Sequence, residues 1–258
     1  MVYYGLDENF AGQIAGHYGL LEIYAHIYAS LFLFLMSLVS ISLLYYYYRS
    51  SIFRMQGVLN GIFYTGLIGV GEAFEHLFAS ITIGSIFHYL HLISAPIALI
   101  FYYLGIVEIF ERDIKEGEEG RYVDFKISLS VFLVIGIAIM ILSRFSRAIW
   151  DFRVEEPFIM VTVIPTLVIV WILLKKSEVI TESTILLASL RIVSVGVCIL
   201  TLTILIGRQA DIYRWANVYI IAHQLQNIFH IIIGTALLMV VMTLSQVERV
   251  LKSIKSQR

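Results

Sequence analysis

Residues Gly71 to His91 read GEAFEHLFASITIGSIFHYLH, and the reading of the whole chain turns on this stretch. Two apolar segments meet there at a short turn, and between them they carry Glu72, Glu75, His76, His88 and His91. An ionisable side chain inside a membrane span is costly to insert, so each of these residues points to a functional site by default. The composition around them is that of a membrane protein. The 258 residues are 59% hydrophobic and 14% charged, with a mean hydropathy of +0.86, whereas soluble domains are about 25% charged. An integral, multi-pass membrane protein follows.

Seven apolar stretches are long enough to cross a hydrocarbon core, which takes about 20 helical residues. They run near Ile23 to Tyr47, Gly57 to Ser80, Ile86 to Ile109, Ile127 to Ser143, Phe158 to Leu174, Thr184 to Ile206 and Trp215 to Leu244. With no internal repeat and no linker, the expectation is one all-α domain of seven transmembrane helices over residues 1–258. Twelve of the basic residues (Arg49, Arg54, Arg112, Lys115, Arg121, Lys126, Lys175, Lys176, Arg249, Lys252, Lys255 and Arg258) fall on one side. Five (Arg144, Arg147, Arg153, Arg208 and Arg214) fall on the other. That bias places the amino terminus outside and the carboxyl terminus in the cytoplasm. The mixed-charge segment ERDIKEGEEGRYVDFK reads as a solvated cytoplasmic connection.

Several function classes are excluded or disfavoured. The formal net charge is −1 and no basic tract with interleaved aromatics is present, so nucleic acid is not expected as a partner. The lone Cys198 permits no intramolecular disulfide, and no cysteine-based zinc or iron–sulfur cluster. The opening MVYYGLDENF has no Lys or Arg and leads into no cleavable-looking apolar region, so no cleaved leader is expected.

The histidines are segregated in this topology. His17 and His26 lie around the start of the first span, His76 late in the second, His88 and His91 early in the third, and His223 and His230 in the outer to middle part of the seventh. All lie in the outer half. Helical spacing puts Glu72 and His76 on one face, as it does His88 and His91. His223 and His230 are two turns apart, offset by about 10 Å along the helix. Depth counted along the helices places His76, His91 and His223 in one layer, about 10 to 12 Å in, with Glu72 and His230 at about 18 to 22 Å. Such a layered arrangement suits one metal with a buried carboxylate partner, or two metals. His17 and His26 read as surface residues, and Asn227, one turn after His223, as a partner that fixes an imidazole tautomer.

Neutral imidazole is the commonest protein metal ligand, and several histidines with a carboxylate suit zinc, iron, manganese or copper. The expected ligands are therefore drawn from His76, His88, His91, His223 and His230. Three functions remain open on the residues alone. One is a zinc-dependent hydrolase acting on a lipid amide or ester in the outer leaflet, with zinc on His76, His223 and either His230 or His91, and Glu72 or Glu75 as general base. Another is a redox protein holding haem between two histidines, or a copper or iron centre. The last is a metal or proton transporter or sensor, which the absence of inverted repeats disfavours.

The placement of these residues resembles the seven-helix membrane hydrolases that include alkaline ceramidases and adiponectin-receptor-type proteins. Glu72 stands where that family has a serine, His76 at its first zinc ligand, His88 close to its aspartate, and His223 at the first histidine of its last helix. The second histidine of the family's HxxxH pair falls at Asn227, with His230 three residues further on. The resemblance covers about thirty residues together with the topology. It implies a zinc ion on three histidines, an activated water and cleavage of a lipid amide.

Overall fold

In the computed structural model the described residues are 20–48, 56–78, 82–114 and 185–256. They form five α-helices: α1 (Leu20–Tyr48), α2 (Gln56–Leu77), α3 (Thr82–Ile114), α4 (Ile185–Ile212) and α5 (Ala216–Ser256). The expected spans at Ile127 to Ser143 and Phe158 to Leu174 lie outside the described residues, as do His17 and the charged loop between Arg144 and Glu156. Four of the helices are long and apolar enough to cross a membrane, over Tyr24–Tyr46, Ile86–Gly105, Ala188–Gly207 and Ala216–Thr243. The exception is α2, which carries two glutamates and five glycines among its 22 residues. It is wrapped by its neighbours, so it needs less apolar surface of its own.

Each helix packs on the next in sequence, α3 meets α4, and α5 returns against α1, so the five close into a ring. The core between them is apolar: Leu33 and Leu44 of α1, Ile62 and Ile68 of α2, Leu99 and Tyr102 of α3, Val193 and Leu200 of α4, and Ile233 and Leu237 of α5 are all buried. The outside is apolar too. Leu35, Leu38 and Leu43 on α1 and Ile221, Ile228, Ile231 and Met242 on α5 are exposed, a pattern that suits hydrocarbon as the solvent.

Many hydroxyls inside the ring are satisfied locally. Hydroxyls of Ser30, Ser37, Thr65, Ser94, Ser194 and Thr201 each donate to the carbonyl one turn back, which removes the penalty of a bare hydroxyl in an apolar setting. Thr65 Oγ1 also meets Tyr102 Oη at 2.8 Å, tying α2 to α3. The α4–α5 turn is tight. Arg214 takes φ 58°, and Trp215 N–H donates to Ala210 O while Tyr213 N–H donates to Gln209 O, so the exposed carbonyls at the end of α4 are capped.

Glycines set how closely the helices approach, as small residues do in membrane bundles. A Cβ on Gly71 would stand 2.7 Å from His91 Cβ and 2.9 Å from Phe87 O of α3, whereas one on Gly207 would meet nothing nearer than 3.5 Å. Backbone cannot yield as a flexible side chain can, so Gly71→Ala is expected to cost about 1–3 kcal/mol. Gly207→Ala is expected to lose no stability. Thermal unfolding of the two purified variants in the same detergent measures the contrast.

Candidate metal centre

The site-bearing ends of the helices coincide. The chain runs up α1 from its start, returns along α2 to its end, and re-enters through α3, so His26, the Glu72 to His76 turn and His88 to His91 lie at one end of the ring. The short α4–α5 connection brings His223 and His230 to the same end. On α2, Glu72 and His76 are four residues apart and nearly eclipsed, while Glu75 is rotated by about 60° from Glu72 and about 100° from His76. The helix thus presents donors in two directions.

In the first direction lies a deep centre. His26, His76 and His223 offer ligand atoms within 4.8 Å of one another, and so do His26, Glu72 and His230. His26 is common to both groups, so its ring sits at the hub, with centroid distances of 4.8 Å to His76, 5.1 Å to His223 and 5.7 Å to His230. Three of the five are almost fully buried: His230 is 0% exposed, and Glu72 and His26 are each 2% exposed; His76 and His223 are partly buried. Glu72 Oε2 lies 2.8 Å from His230 Nε2, 3.6 Å from His26 Nε2 and 3.4 Å from Ser30 Oγ. Its other oxygen, Oε1, is buried without a partner.

Two contacts orient the imidazoles. Asn227 Oδ1 lies 2.5 Å from His26 Nδ1, and the Tyr219 carbonyl lies 2.9 Å from His223 Nδ1. A carbonyl accepts only, so each Nδ1 carries the proton and each Nε2 is left with its lone pair for coordination. Metal-binding histidines are held by such partners. Asn227 does this for His26 across the α1–α5 contact, not for His223 on its own helix as the spacing suggested.

In the second direction lies an outer group, Glu75, His88 and His91, again with ligand atoms within 4.8 Å of one another. Glu75 Oε1 is 2.7 Å from His88 Nδ1 and Oε2 is 3.2 Å from His91 Nδ1.

Several of these approaches are close without being hydrogen bonds. His230 Nε2 and His91 Nδ1 lie 2.8 and 3.2 Å from carboxylate oxygens yet have no hydrogen-bonding partner, and His26 Nε2, 3.6 Å from Glu72 Oε2, is beyond hydrogen-bonding distance. Atoms that converge on a shared third point behave this way. Donors at about 2.0–2.1 Å from a tetrahedral cation stand about 3.3 Å from one another, comparable to the 3.2 and 3.6 Å of two of these approaches, while the 2.8 Å between His230 and Glu72 is shorter. The donors are nitrogen and oxygen only, a set that fits zinc, iron, manganese or copper.

The structure therefore distributes the expected ligands over two groups. His76, His223 and His230 gather with Glu72 in the deep centre, and His88 and His91 gather with Glu75 outside it. His26, read from its place at the start of a span as a surface residue, is instead the buried hub. The signal that could have found it is Ser30 one turn later in a wholly apolar run, which makes the His26 face of α1 polar and inward. Searches against protein-family models, curated proteins and solved structures find no match to this chain.

Removing the acceptor that orients His26 tests the arrangement directly. Asn227→Leu is expected to weaken zinc binding by about 10–100-fold, measured by competition with a chromophoric chelator. Thr235→Leu on the same helix, whose exposed hydroxyl bonds only its own backbone, is expected to leave that affinity unchanged.

Proposed function

We propose that this protein is an integral membrane metalloenzyme whose deep centre holds a divalent cation, zinc in the first instance, and hydrolyses an amide or ester of a membrane lipid. The observation that carries this reading is the convergence of three imidazoles, from three helices, beside a buried carboxylate with one free oxygen. His26, His76 and His223 hold the cation, with the tautomers of His26 and His223 set by Asn227 and the Tyr219 carbonyl. When bound, the cation supplies a Lewis acid and draws the pKa of its water down toward about 7. Ser30 and His230 flank Glu72 at Oε2, leaving Oε1 to take the water proton. As water oxygen bonds to the acyl carbon and the carbon–nitrogen or carbon–oxygen bond breaks, the same carboxyl returns that proton to the leaving amine or alcohol. The positions correspond to those on which the resemblance to seven-helix hydrolases rests, with His26 in addition.

The reading includes the full topology of seven spans, amino terminus outside. The site then sits in the non-cytoplasmic leaflet, and the exposed rings of Tyr24, Tyr28, Tyr213 and Trp215 at that end lie at headgroup level. A lipid substrate would reach the centre sideways between helices. Because Cys198 is the lone cysteine and is buried, Trp215→Cys gives a clean topology probe. Membrane-impermeant maleimide added to intact cells is expected to label it; labelling only after permeabilisation would reverse the orientation.

A redox reading is favoured by one observation, that His26, Glu72 and His230 form a two-histidine, one-carboxylate set of the kind used by non-haem iron enzymes. Elemental analysis and an absorption spectrum of protein purified without chelators separate the readings. Tightly held zinc and no visible absorption support the hydrolase, whereas iron, copper or a Soret band would replace it. His26→Ala, His76→Ala and His223→Ala are each expected to lose most of the deep-site metal, with His17→Ala retaining it. Glu72→Gln is expected to keep the metal and lose about 10²–10⁴-fold in hydrolysis of N-acyl lipids or acyl esters in mixed micelles. Equal metal retention in all four histidine variants would reject the ligand set.

A further inference from the structure

We infer that Glu75, His88 and His91 form a second divalent-cation site, separate from the deep centre. Its carboxylate comes from three residues beyond Glu72 on α2, and its two imidazoles come from α3. Glu72 and Glu75 are offset by about 4.5 Å of helix rise and face different neighbours, α1 and α5 for Glu72, α3 for Glu75. The two groups share no residue, so one cation cannot satisfy both.

Three features make the outer group a site and not a packed ion pair. His91 is 3% exposed, and its Nδ1 stands 3.2 Å from Glu75 Oε2 without a hydrogen-bonding partner, the spacing of two ligands aimed at a common ion. The rings of His88 and His91 are 5.2 Å apart and nearly perpendicular, at 87°, so they approach the carboxylate from two sides and do not stack. His88 and Glu75 are 12% and 18% exposed in their side chains, which gives a cation a route in. Two imidazoles and a carboxylate from adjacent helices leave coordination positions open and suit zinc, iron(II) or manganese.

The position of His91 is also held from behind. Gly71 of α2 lies directly against the His91 backbone and Cβ, one turn before Glu75, which fixes the distance between the carboxylate and the ring that faces it.

The test is zinc stoichiometry of the full-length protein in detergent, stripped with chelator and titrated with Zn²⁺ alone. Wild type is expected to bind two equivalents, while Glu75→Gln and His91→Ala each bind one and retain it on the additional mutation His88→Ala. His223→Ala is expected to lose the other equivalent and keep the outer one. Unchanged stoichiometry in Glu75→Gln and His91→Ala would overturn the second site while leaving the deep one standing. Loss of all zinc in either outer variant, with a wild-type melting temperature for the near-isosteric Glu75→Gln, would show a single shared centre and overturn the proposal as well. Loss of all zinc in His223→Ala alone overturns it equally, and zinc held only by the outer residues would instead remove the deep-site reading.

Discussion

The structure depends on how a carboxylate is kept inside an apolar ring of helices. Glu72 is 2% exposed, and an ionised carboxyl moved there without partners would cost far more than packing could recover. Its neighbours are Ser30, His26 and His230, and among the described residues every ion-pair partner of Glu72 and Glu75 is a histidine. That choice matters. An arginine or lysine would neutralise a carboxylate permanently, as a structural salt bridge does. Imidazole neutralises it only when a proton or a metal ion is supplied. Two carboxylates and six histidines at one end of the bundle therefore leave negative charge that bound divalent cations would balance, and the unbonded nitrogen–oxygen approaches give those cations a place.

Among the described residues, the buried carboxylates gather at this end. Away from it, several interior hydroxyls bond to their own helix, and the core around them is largely apolar. Lipid-facing and interior surfaces are about equally apolar, so burial cannot hold the helices together as it does in water. Close backbone approach and a few interhelical hydrogen bonds must contribute instead. The contact of Gly57 with Gly105, where an added Cβ would come within 2.5 Å of backbone nitrogen, is one such approach, and the His26 to Asn227 contact between α1 and α5 is one such bond.

Much of this was legible from hydropathy alone. The helices found at Leu20–Tyr48, Gln56–Leu77, Thr82–Ile114, Ile185–Ile212 and Ala216–Ser256 overlay five of the expected spans, because a long apolar run in this composition has few alternatives to a helix. Their ends were less legible. α5 continues past Leu244 through SQVERVLKSIKS, where the sequence turns polar but no residue breaks a helix. At the site, the participation of His76, Glu72, His223 and His230 followed from i, i+4 and i, i+7 spacing, which fixes azimuth within one helix. What spacing cannot supply is the rotation of one helix relative to another. His91 was placed by depth beside His76 and His223, yet its helix turns it to Glu75. His26 was placed at a surface because it begins a span, yet α1 extends further and carries it inward.

That missing rotation is nevertheless written into α2 in the positions of its glycines. Gly66 and Gly69 lie against α1, at Ser37 and at Ser30, and Gly57, Gly61 and Gly71 lie against α3, at Gly105, Tyr102 and His91. Continuing each row by three or four residues, the α1 row reaches Glu72 and then His76, and the α3 row reaches Glu75 from Gly71. Each row of close contact thus ends in the donors of one group: Glu72 and His76 meet His26 of α1, and Glu75 meets His88 and His91 of α3. Since 3.6 residues complete a turn, Glu75 and His76, adjacent in sequence, stand about 100° apart around the helix. A helix reading E-x-x-E-H at the end of two glycine rows thus turns its last two donors to different partners, His76 to His26 and Glu75 to His88 and His91.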